Sequence, residues 1–307
     1  MIEVLGKAKL LRCPPGTSLQ DEGRLSGAQY GIPSSGAMDQ KSFRWANHLL
    51  KNKSNAVALE LSQPGLQIQF TQACLIALIG ANALVNLNQN KVSNSSLISI
   101  TAGDILEIGA FLSGSRLYLC IQGGFQVERY LESGSDFESI TFPSKRSTHD
   151  LLTYFSYPQA QNLGAKPKWV TSWFESPKIE TYRGADWGLL SLAQQELICT
   201  TTFHLSKFSN RMGIQLEELV SNQLEDLPTN PVFPGTVQLT PGGKLIVLMR
   251  DAGVTGGYPR ILHLTEEGQS KLAQKRVGDP IRFQLLETIT DKFDQINAKK
   301  VLRFCRK

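Results

Sequence analysis

Short runs of apolar residues, often alternating with polar ones, dominate the chain. The runs Leu66–Phe70 and Asp104–Ile108 alternate strictly, which is typical of strands with one face in water. Glycine, asparagine and proline separate many runs and supply the backbone conformations that turns need. The pattern predicts strands at Val57–Leu61, Leu66–Phe70, Cys74–Ile79, Asp104–Ile108, Arg116–Ile121, Lys178–Tyr182, Thr200–Leu205, Thr236–Leu239, Lys244–Met249 and Ile281–Leu286.

Helical periodicity is limited to a few short segments. Apolar residues at three-to-four spacing follow Asp39, whose carboxylate can cap a helix. Many short strands with few long helices favour barrels or sandwiches over a doubly wound sheet. We therefore expect a mainly β chain, with helices from Asp39 to about Leu50, from Asp186 through Ala193, over Glu266–Gln274 and in the tail from Asp291.

The length of 307 residues corresponds to one large or two ordinary domains, since domains usually contain about 100–200 residues. The hydrophobic fraction of 41% excludes a disordered or fibrous chain. A polar, weakly patterned stretch with three prolines, residues 133–168, is the best place for a long loop between domains. We expect two β-barrel-like units, residues 1–165 and residues 166–307.

Charge and cysteine content limit which cellular compartment and which kinds of partner are expected. The net charge of +5 neither requires nor excludes an anionic partner. The basic C-terminal tail lacks interleaved aromatic residues, so we expect no nucleic-acid partner. The five cysteines contain no C-x-x-C pair, which is typical of a reducing cytoplasm. The longest apolar stretch, Ala73–Val85, is shorter than the ~20 residues that span a bilayer, so we expect a cytoplasmic protein without a membrane partner.

The common enzyme signatures are missing from the sequence. The segment Pro241–Lys244 lacks the G-x-x-x-x-G-K-[ST] frame of a phosphate loop and is predicted to be a β-turn. There is no H-E-x-x-H motif and no glycine-flanked serine elbow, and the four histidines are isolated. We therefore expect no metal site and no Ser-His-Asp chemistry.

Three segments carry candidate chemistry, and the first is the loop Gln29–Asp39. Its glycines, proline and serines, Ser35 among them, form a tight loop before the helix that Asp39 caps. The free N–H groups of a helix N-terminus favour an anionic or carbonyl oxygen. An ordinary capped helix start accounts for the same residues, and both interpretations stay open.

The second and third segments contain charged residues beside glycines. In Ser209–Gly213, Arg211 can aim a rigid five-donor fork at a carboxylate, and an arginine that only ties down a loop is an equal alternative. Asp251 follows a predicted strand and precedes the glycine-rich run Thr255–Pro259. Its carboxylate can accept a proton, while glycines let backbone N–H groups approach a ligand closely.

Motifs along most of the chain match one family in order and spacing. The matching stretches are Tyr30–Asp39, Ser42–Arg44, Ala46–Asn47, Ala58–Glu60, Pro64–Gly65, Ala102–Asp104, Gly123–Gly124, Ser209–Gly213, Pro234–Gln238 and Thr255–Pro259. Together they resemble the carboxyltransferase-like family that includes the C subunit of 5-oxoprolinase, the second subunit of allophanate hydrolase and the carboxyltransferase part of urea amidolyase. The resemblance implies a cyclophilin-like β-barrel fold and a small planar amide as the substrate.

The resemblance also implies a partner and a reaction. In this family, the C subunit acts with a B-subunit-like, kinase-inhibitor-like protein, and the composite site lies between the two. For this chain the resemblance implies a component of an ATP-dependent 5-oxoprolinase. Such an enzyme hydrolyses 5-oxo-L-proline to L-glutamate only in the complex, with ATP and Mg²⁺ bound there.

Two alternatives stay open. The chain could be the carboxyltransferase component of a biotin-dependent urea or amide carboxylase and allophanate hydrolase system. It has no biotin attachment site of the Met-Lys-Met type, so biotin must then be supplied in trans. The second alternative is that the chain is a non-catalytic regulatory partner of the kinase-inhibitor-like protein. It is favoured because the family's Arg-Gln-Thr run after the equivalent of Asp251 is replaced here by Ala252, Gly253 and Val254.

The resulting hypothesis gives each candidate residue a role. Asp251 contacts the amide N–H or an attacking group and accepts a proton, and Arg211 binds the substrate carboxylate as a bidentate pair. The remaining site residues are Gln238 and Tyr258 for further hydrogen bonds, Thr255, Gly256 and Gly257 at the developing oxyanion or phosphorylated lactam oxygen, and Ser35 and Asp39 in the wall loop.

Overall fold

The computed structural model describes residues 4–141, 145–157 and 170–287. The strands of the first half are β1 Leu5–Arg12, β2 Ser18–Gln20, β3 Ala58–Leu61, β4 Leu66–Phe70, β5 Cys74–Leu87, β6 Asn90–Val92, β7 Leu97–Ile100, β8 Ile105–Ile121, β9 Phe125–Gln126 and β10 Leu151–Phe155. Those of the second half are β11 Lys178–Arg183, β12 Phe203–Ser209, β13 Gly213–Leu219, β14 Asn230–Pro231, β15 Thr236–Leu239, β16 Lys244–Leu248, β17 Thr255–Gly256, β18 Arg260–Leu264 and β19 Pro280–Leu285. The α-helices in the described residues are α1 Gln40–Leu49, α2 Leu192–Thr200 and α3 Glu266–Ala273, and short 3₁₀ helices lie at Ala28–Tyr30, Thr171–Phe174 and Trp187–Leu189.

Strands β1 to β10 form one sheet in the order β2-β3-β8-β4-β1-β10-β9, with β5 paired to β6, β7 and β8. The long strand β5 is buried on both faces, because alternate side chains meet different cores. Ile76 and Leu78 belong to the core of the sheet itself. Ala77 and Ile79 pack instead with Phe43 of α1. This double burial explains why the segment is apolar without alternation.

The second half closes into a barrel in the order β11-β18-β15-β16-β13-β12-β19. The closing pair is β11 with β19, which run parallel, while the other neighbours in the barrel are antiparallel. Inward residues such as Val237, Val247 and Leu262 fill its core and are not exposed. The prediction of a mainly β chain with barrel-like units and a few short helices is confirmed.

Among the contacts that join the sheet to the barrel, two lie at the loop before α1. Met38, in the loop before α1, packs its side chain into the barrel core. Gln274, at the end of α3, donates from Nε2 to Asp39 Oδ2 at 2.7 Å and accepts at Oε1 from the N–H groups of Ser115 and Arg116 at 3.0 and 3.1 Å. The loop that precedes α1 therefore lies at the boundary between the two sheets.

Two predicted helices agree with the structure and one is corrected. Asp39 caps α1 by accepting from the Ser42 N–H at 3.0 Å, and α3 begins at Glu266 as expected. Asp186 precedes only the 3₁₀ helix Trp187–Leu189, and its side chain does not cap it, because Arg260 donates its backbone N–H and its Nε to that carboxylate, each at 2.9 Å. Helix α2 begins instead after Ser191, which forms a capping box with Gln194.

The stretch 133–168 is not loop throughout, since β10 lies inside it and pairs with β1. The proposed boundary at residues 165 and 166 and the tail from Asp291 lie outside the described residues. The segment Pro241–Lys244 forms the predicted turn between β15 and β16. Among the described helices, none has the length and apolar character required to cross a membrane.

Candidate functional site

Arg211 and Asp251 meet because their strands are paired. Arg211 comes just before β13 and Asp251 just after β16, and the antiparallel register sets Gly213 opposite Leu248. The two backbones are joined where the Asp251 N–H donates to the Arg211 carbonyl at 2.9 Å. The side chains form a bidentate pair, with Nε to Oδ2 at 2.7 Å and Nη2 to Oδ1 at 3.1 Å. The predicted meeting of these two residues is therefore present in the fold.

The first sheet supplies two further acceptors to the same guanidinium. Arg211 donates from Nη1 to Glu60 Oε1 at 2.6 Å and from Nη2 to the Gly36 carbonyl at 2.7 Å. Glu60 lies on β3 and is 1% exposed. Burial alone raises the pKa of Glu60, but the charges of Arg211 and Arg116 outweigh it and hold the pKa below its usual value. Glu60 is thus a buried anion between two arginines.

These contacts occupy most of the donors of Arg211. Four of the five N–H groups of a guanidinium are used in the bonds to Asp251, Glu60 and Gly36. Burial opposes the charge, but Glu60 and Asp251 raise the pKa of Arg211 well above its ordinary value. The bidentate fork predicted to bind a substrate carboxylate is filled by Asp251 in this conformation. Arg211 therefore holds the Asp251 carboxylate in a fixed orientation.

Asp251 and Arg211 share a cavity of about 610 Å³. A second ion pair lies on its wall, where Arg146 Nε donates to Asp136 Oδ2 at 2.9 Å. Burial raises the pKa of Asp136, and the hydrogen bond and charge of Arg146 offset this only in part. The side chain of Asp251 is 14% exposed, so a small polar molecule in this cavity can reach its carboxylate.

Thr255 lies in a neighbouring cavity of about 440 Å³. The lining there also includes Ser34 and Arg24, which the wall loop and the segment before it contribute. The sequence motifs predict that Thr255 and Asp251 face one hollow. In the structure Asp251 and Thr255 line two different cavities, and residues Ala252 to Val254 separate them along the chain.

Gln238, Gly256 and Tyr258 contact one another. Gln238 Nε2 donates to the Tyr258 carbonyl at 3.4 Å. A Cβ atom on Gly256 would lie 2.6 Å from the same Nε2, so a side chain at this position would displace the end of the Gln238 side chain. The carbonyl of Gly257 accepts from the Leu227 N–H at 2.7 Å. The glycines of this run thus have partners within the protein itself.

Ser35 and Asp39 are buried and belong to the wall loop. The Ser35 N–H donates to the Arg250 carbonyl at 2.9 Å, which ties the loop to the end of β16. Asp39 accepts from Ser42 and from Gln274 and is not exposed at all. Burial raises the pKa of Asp39, and the bonds from Gln274 and Ser42 offset it only in part. Asp39 therefore acts as a buried helix cap in this structure, and its predicted contact with substrate remains a prediction.

Glu60 bonds to Arg211 and Arg24 lines the 440 Å³ cavity, although neither is among the residues predicted from the sequence. Glu60 could have been noticed as an acid in the otherwise apolar run Val57–Leu61. A charge in a strand buried at every position requires a partner. Arg24 has no comparable signal, because it stands in a polar segment without periodicity.

Gly36 should be sensitive to substitution because two constraints meet there. Its φ is +89°, and an added Cβ would lie 2.8 Å from the Glu22 carbonyl. We expect Gly36→Ala to lower the free energy of unfolding by about 3 kcal/mol, combining the left-handed penalty with backbone displacement. The measurement is urea unfolding followed by circular dichroism.

Gly31 provides the matched control for Gly36→Ala. It lies in the same loop at φ +73°, and nothing is within 4 Å of its added Cβ. We expect Gly31→Ala to cost only about 1 kcal/mol, the conformational penalty alone. Equal losses for the two variants would show that the contact between the Gly36 loop and Glu22 does not constrain the site.

A ten-stranded sheet and a closed barrel share one buried arginine–carboxylate cluster, which defines a mainly β protein with a polar site where the two meet. The chain belongs to the family described as carboxyltransferase domain, subdomain A and B, which matches residues 30–285. This confirms the resemblance found in the motifs.

Known relatives agree with this assignment. The chain is 31% identical to the C subunit of 5-oxoprolinase from Escherichia coli over 306 residues, 94% of each chain. It is 40% identical to urea amidolyase of Lachancea kluyveri over 122 residues, 39% of this chain and 7% of that protein. The crystal structure of the K. lactis urea amidolyase superposes with a TM-score of 0.80 at 24% identity, covering 92% of this chain and 19% of that one. The last comparison supports the fold of the chain and no further property.

Proposed function

We propose that this protein is a component of an ATP-dependent 5-oxoprolinase that hydrolyses 5-oxo-L-proline to L-glutamate. The observation that carries the proposal is the similarity to the 5-oxoprolinase C subunit across 94% of both chains. A relative of the same length supports a shared role better than a match to a small part of a larger enzyme. The protein belongs in this proposal to a cytoplasmic complex and is inactive alone.

The cavity at Asp251 supports amide chemistry. A half-buried carboxylate held by Arg211 has a fixed direction and can accept a proton from an attacking water, or accept a hydrogen bond from the lactam N–H. Arg211 acts as a positioning residue, since its fork is bonded to Asp251 and Glu60. We propose that Thr255, Gly256 and Gly257, with Gln238 and Tyr258, complete the substrate site when the partner is bound.

The partner in this proposal is a B-subunit-like, kinase-inhibitor-like protein, and ATP with Mg²⁺ is bound in the assembled complex. Among the described residues, no group of three or more His, Cys, Asp or Glu side chains could hold a metal ion. The Gly242–Lys244 segment is a turn rather than a phosphate loop. We therefore assign nucleotide binding to the complex and to no particular residue of this chain.

The test is reconstitution. The chain is mixed with a purified B-subunit-like protein, Mg²⁺·ATP and 5-oxo-L-proline, and glutamate release is followed with each protein alone as the control. We expect release only from the mixture and only with ATP. No glutamate from a mixture that forms a stable complex would reject the proposal.

A second candidate is the carboxyltransferase component of a biotin-dependent system. It is supported by the 40% identity to part of a urea amidolyase. In that case the same complex would transfer the carboxyl group of carboxybiotin to urea or another amide. Transfer of the labelled carboxyl group from added carboxybiotin to urea, with release of biotin and without glutamate release, would favour this candidate.

A further inference from the structure

A further cavity, of about 480 Å³, adjoins the Asp251 cavity, and Arg211 lines both. The sheet and the barrel each supply part of its wall, and the segment after α3 supplies the rest. Basic side chains come from all three, and they are those of Arg116, Arg211, Lys275 and Arg276. Within the described residues, the only carboxylate in this lining is that of Glu60. The cavity therefore has an excess of positive charge.

Glu60 compensates only one of these cations fully. Its Oε1 accepts from Arg211 Nη1 at 2.6 Å, whereas Arg116 Nε lies 3.9 Å from that oxygen. Its second oxygen accepts from a backbone N–H and from a tyrosine hydroxyl. Among the described residues, the side chains of Lys275 and Arg276 donate to carbonyl groups and form no salt bridge. The charges of Arg116, Lys275 and Arg276 thus lack a full ionic partner in this part of the chain.

Carbonyl groups fix the guanidinium groups of Arg276 and Arg116 in place. Arg276 donates from Nε to Gly114 and from Nη2 to Phe111, at 2.9 and 3.0 Å. Arg116 donates from Nη1 to the Ala273 carbonyl. Arg276 Nη1 and Arg116 Nη2 donate to no group in the described residues, and neither is among the nitrogens there that are closed to water. The carbonyls therefore orient both guanidinium groups without neutralising them, and one NH₂ group of each stays available to a ligand.

Lys275 adds a buried ammonium group to these cations. It is 8% exposed, and its Nζ donates to the Glu175 carbonyl at 3.0 Å. The nearby carboxylate of Asp279 accepts from the backbone N–H of Arg276 at 2.8 Å. Burial lowers the pKa of Lys275, and the charges of Asp279 and Glu175 offset this only in part. An anion in the cavity would therefore stabilise the charged form of Lys275.

The chemistry of this lining suits a phosphate group better than a carboxylate. A phosphate group carries about two negative charges on several acceptor oxygens, so it can bond to two guanidinium groups at once and neutralise more than one cation. Asn210, which also lines the cavity, adds a neutral donor. Its Oδ1 accepts from the N–H groups of Met212 and Gly213, and its Nδ2 has no acceptor in the described residues. The volume of about 480 Å³ lies in the range of small-molecule pockets.

We propose that this cavity binds a phosphate group. Arg116 Nη2 and Arg276 Nη1 donate to its oxygens, and Lys275 supplies a further positive charge. The inference rests on the proposed function in one respect, because ATP-dependent hydrolysis releases the phosphate group that is to be bound. The group belongs either to the nucleotide or to free inorganic phosphate. In both cases it is bound beside the Asp251 cavity, with Arg211 on the wall between them.

The test is calorimetric titration of the full chain with inorganic phosphate and with acetate, in a buffer free of phosphate. We expect phosphate to bind about tenfold more tightly than acetate or better, and Arg276→Gln to weaken phosphate binding by about tenfold or more. Arg12→Gln is the matched control. Arg12 Nε also donates to a glycine carbonyl, that of Gly65, and Arg12 does not line this cavity. This variant should bind phosphate as the unmodified protein does.

A second variant keeps the test decisive if Arg276→Gln does not fold. Asn210→Asp keeps the Oδ1 acceptor for two backbone N–H groups and replaces Nδ2 with a negatively charged oxygen at an exposed position, so it should fold. We expect it to weaken phosphate binding by about tenfold or more, because like charges repel. Unchanged binding in Asn210→Asp, unchanged binding in a folded Arg276→Gln, or equal affinity of the unmodified chain for phosphate and acetate would each overturn the inference.

Competition with ATP identifies the source of the phosphate group. If the group belongs to the nucleotide, ATP displaces inorganic phosphate, and Arg276→Gln weakens the binding of ATP as well. If the ligand is free phosphate, ATP leaves the binding of phosphate unchanged. Both results support the phosphate site and differ only in the molecule that occupies it.

The same titration separates this inference from the proposed function. Phosphate binding that depends on Arg276 supports the site even where reconstitution yields no glutamate. Conversely, glutamate release by a complex whose isolated chain binds neither phosphate nor ATP would retain the proposed function and reject the site.

Discussion

Asp251→Asn should reduce ATP-dependent glutamate release by the reconstituted complex at least 100-fold, the usual contribution of a general acid or base. An asparagine keeps one oxygen for the bond from Arg211, so the pair retains part of its geometry while losing the group that accepts a proton. The fold should survive, because the two backbones remain joined by the Asp251 N–H to Arg211 carbonyl bond. The measurement is kcat and KM for 5-oxoproline, with urea unfolding of the isolated chain.

Asp186→Asn is the matched control for this variant. Asp186 is 15% exposed against 14% for Asp251, and it also holds an arginine, Arg260, with two side-chain bonds. It lines neither the Asp251 cavity nor the Thr255 cavity. We expect Asp186→Asn to lose some stability but to keep turnover within a few-fold. Near-normal turnover in Asp251→Asn, or an equal loss in both variants, would contradict a proton-accepting role for Asp251.

The meeting of Arg211 and Asp251 was predictable only in part, because Asp251 follows a predicted strand while β13, which follows Arg211, was not among the predicted strands. The two predicted strands Thr236–Leu239 and Lys244–Met249 are present, and the position of Asp251 follows from where the second one ends. The resemblance to the family then predicts that the loop with Arg211 belongs to the same site. The register of β13 against β16, which makes the contact, is a tertiary property and no local pattern contains it.

The glycine-rich run Thr255–Pro259 shows how much a glycine motif predicts. The run Thr255–Pro259 correctly signals close approach of another group to the backbone, since Gly256 leaves no space for a Cβ. In this structure the end of the Gln238 side chain lies where a Cβ of Gly256 would be, and the contact of the run with substrate stays a prediction. Sequence shows that a glycine is needed and cannot show by what, because both a side chain and a ligand impose the same steric demand.

Partners distant in sequence were also beyond prediction. Glu60 is bonded to Arg211 across 151 positions, and Arg24 to Ser135 across 111. The Glu60–Arg211 pair follows from the docking of the sheet on the barrel, where Met38 enters the barrel core, while Arg24 and Ser135 meet within the first half of the chain. Composition and spacing indicate only that a buried charge needs a partner, and they do not show which residue that partner is.

Glu60→Gln should lower the free energy of unfolding by about 3–5 kcal/mol, the cost of breaking a buried ion pair from one side. Oε1 accepts from Arg211, while Oε2 accepts from the Met38 N–H and the Tyr118 hydroxyl, both at 2.8 Å. A glutamine has one oxygen, so its NH₂ group must face a donor whichever way it is turned. The measurement is urea unfolding at pH 7.

The difference in free energy of unfolding between the unmodified protein and Glu60→Gln should depend on pH with a definite sign. The pKa of Glu60 is lowered in the folded state, so its stabilising effect is present above the unfolded value of about 4.3 and is lost as pH falls through the folded value. The gap between the unmodified protein and Glu60→Gln should therefore narrow below about pH 4. Glu22→Gln removes an exposed pair with Arg44 and should cost less than about 1 kcal/mol. Two results would show that the Glu60 charge does not stabilise the cluster. One is a loss of unfolding free energy in Glu60→Gln as small as that in Glu22→Gln, and the other is a loss that does not change with pH over the range in which the protein folds.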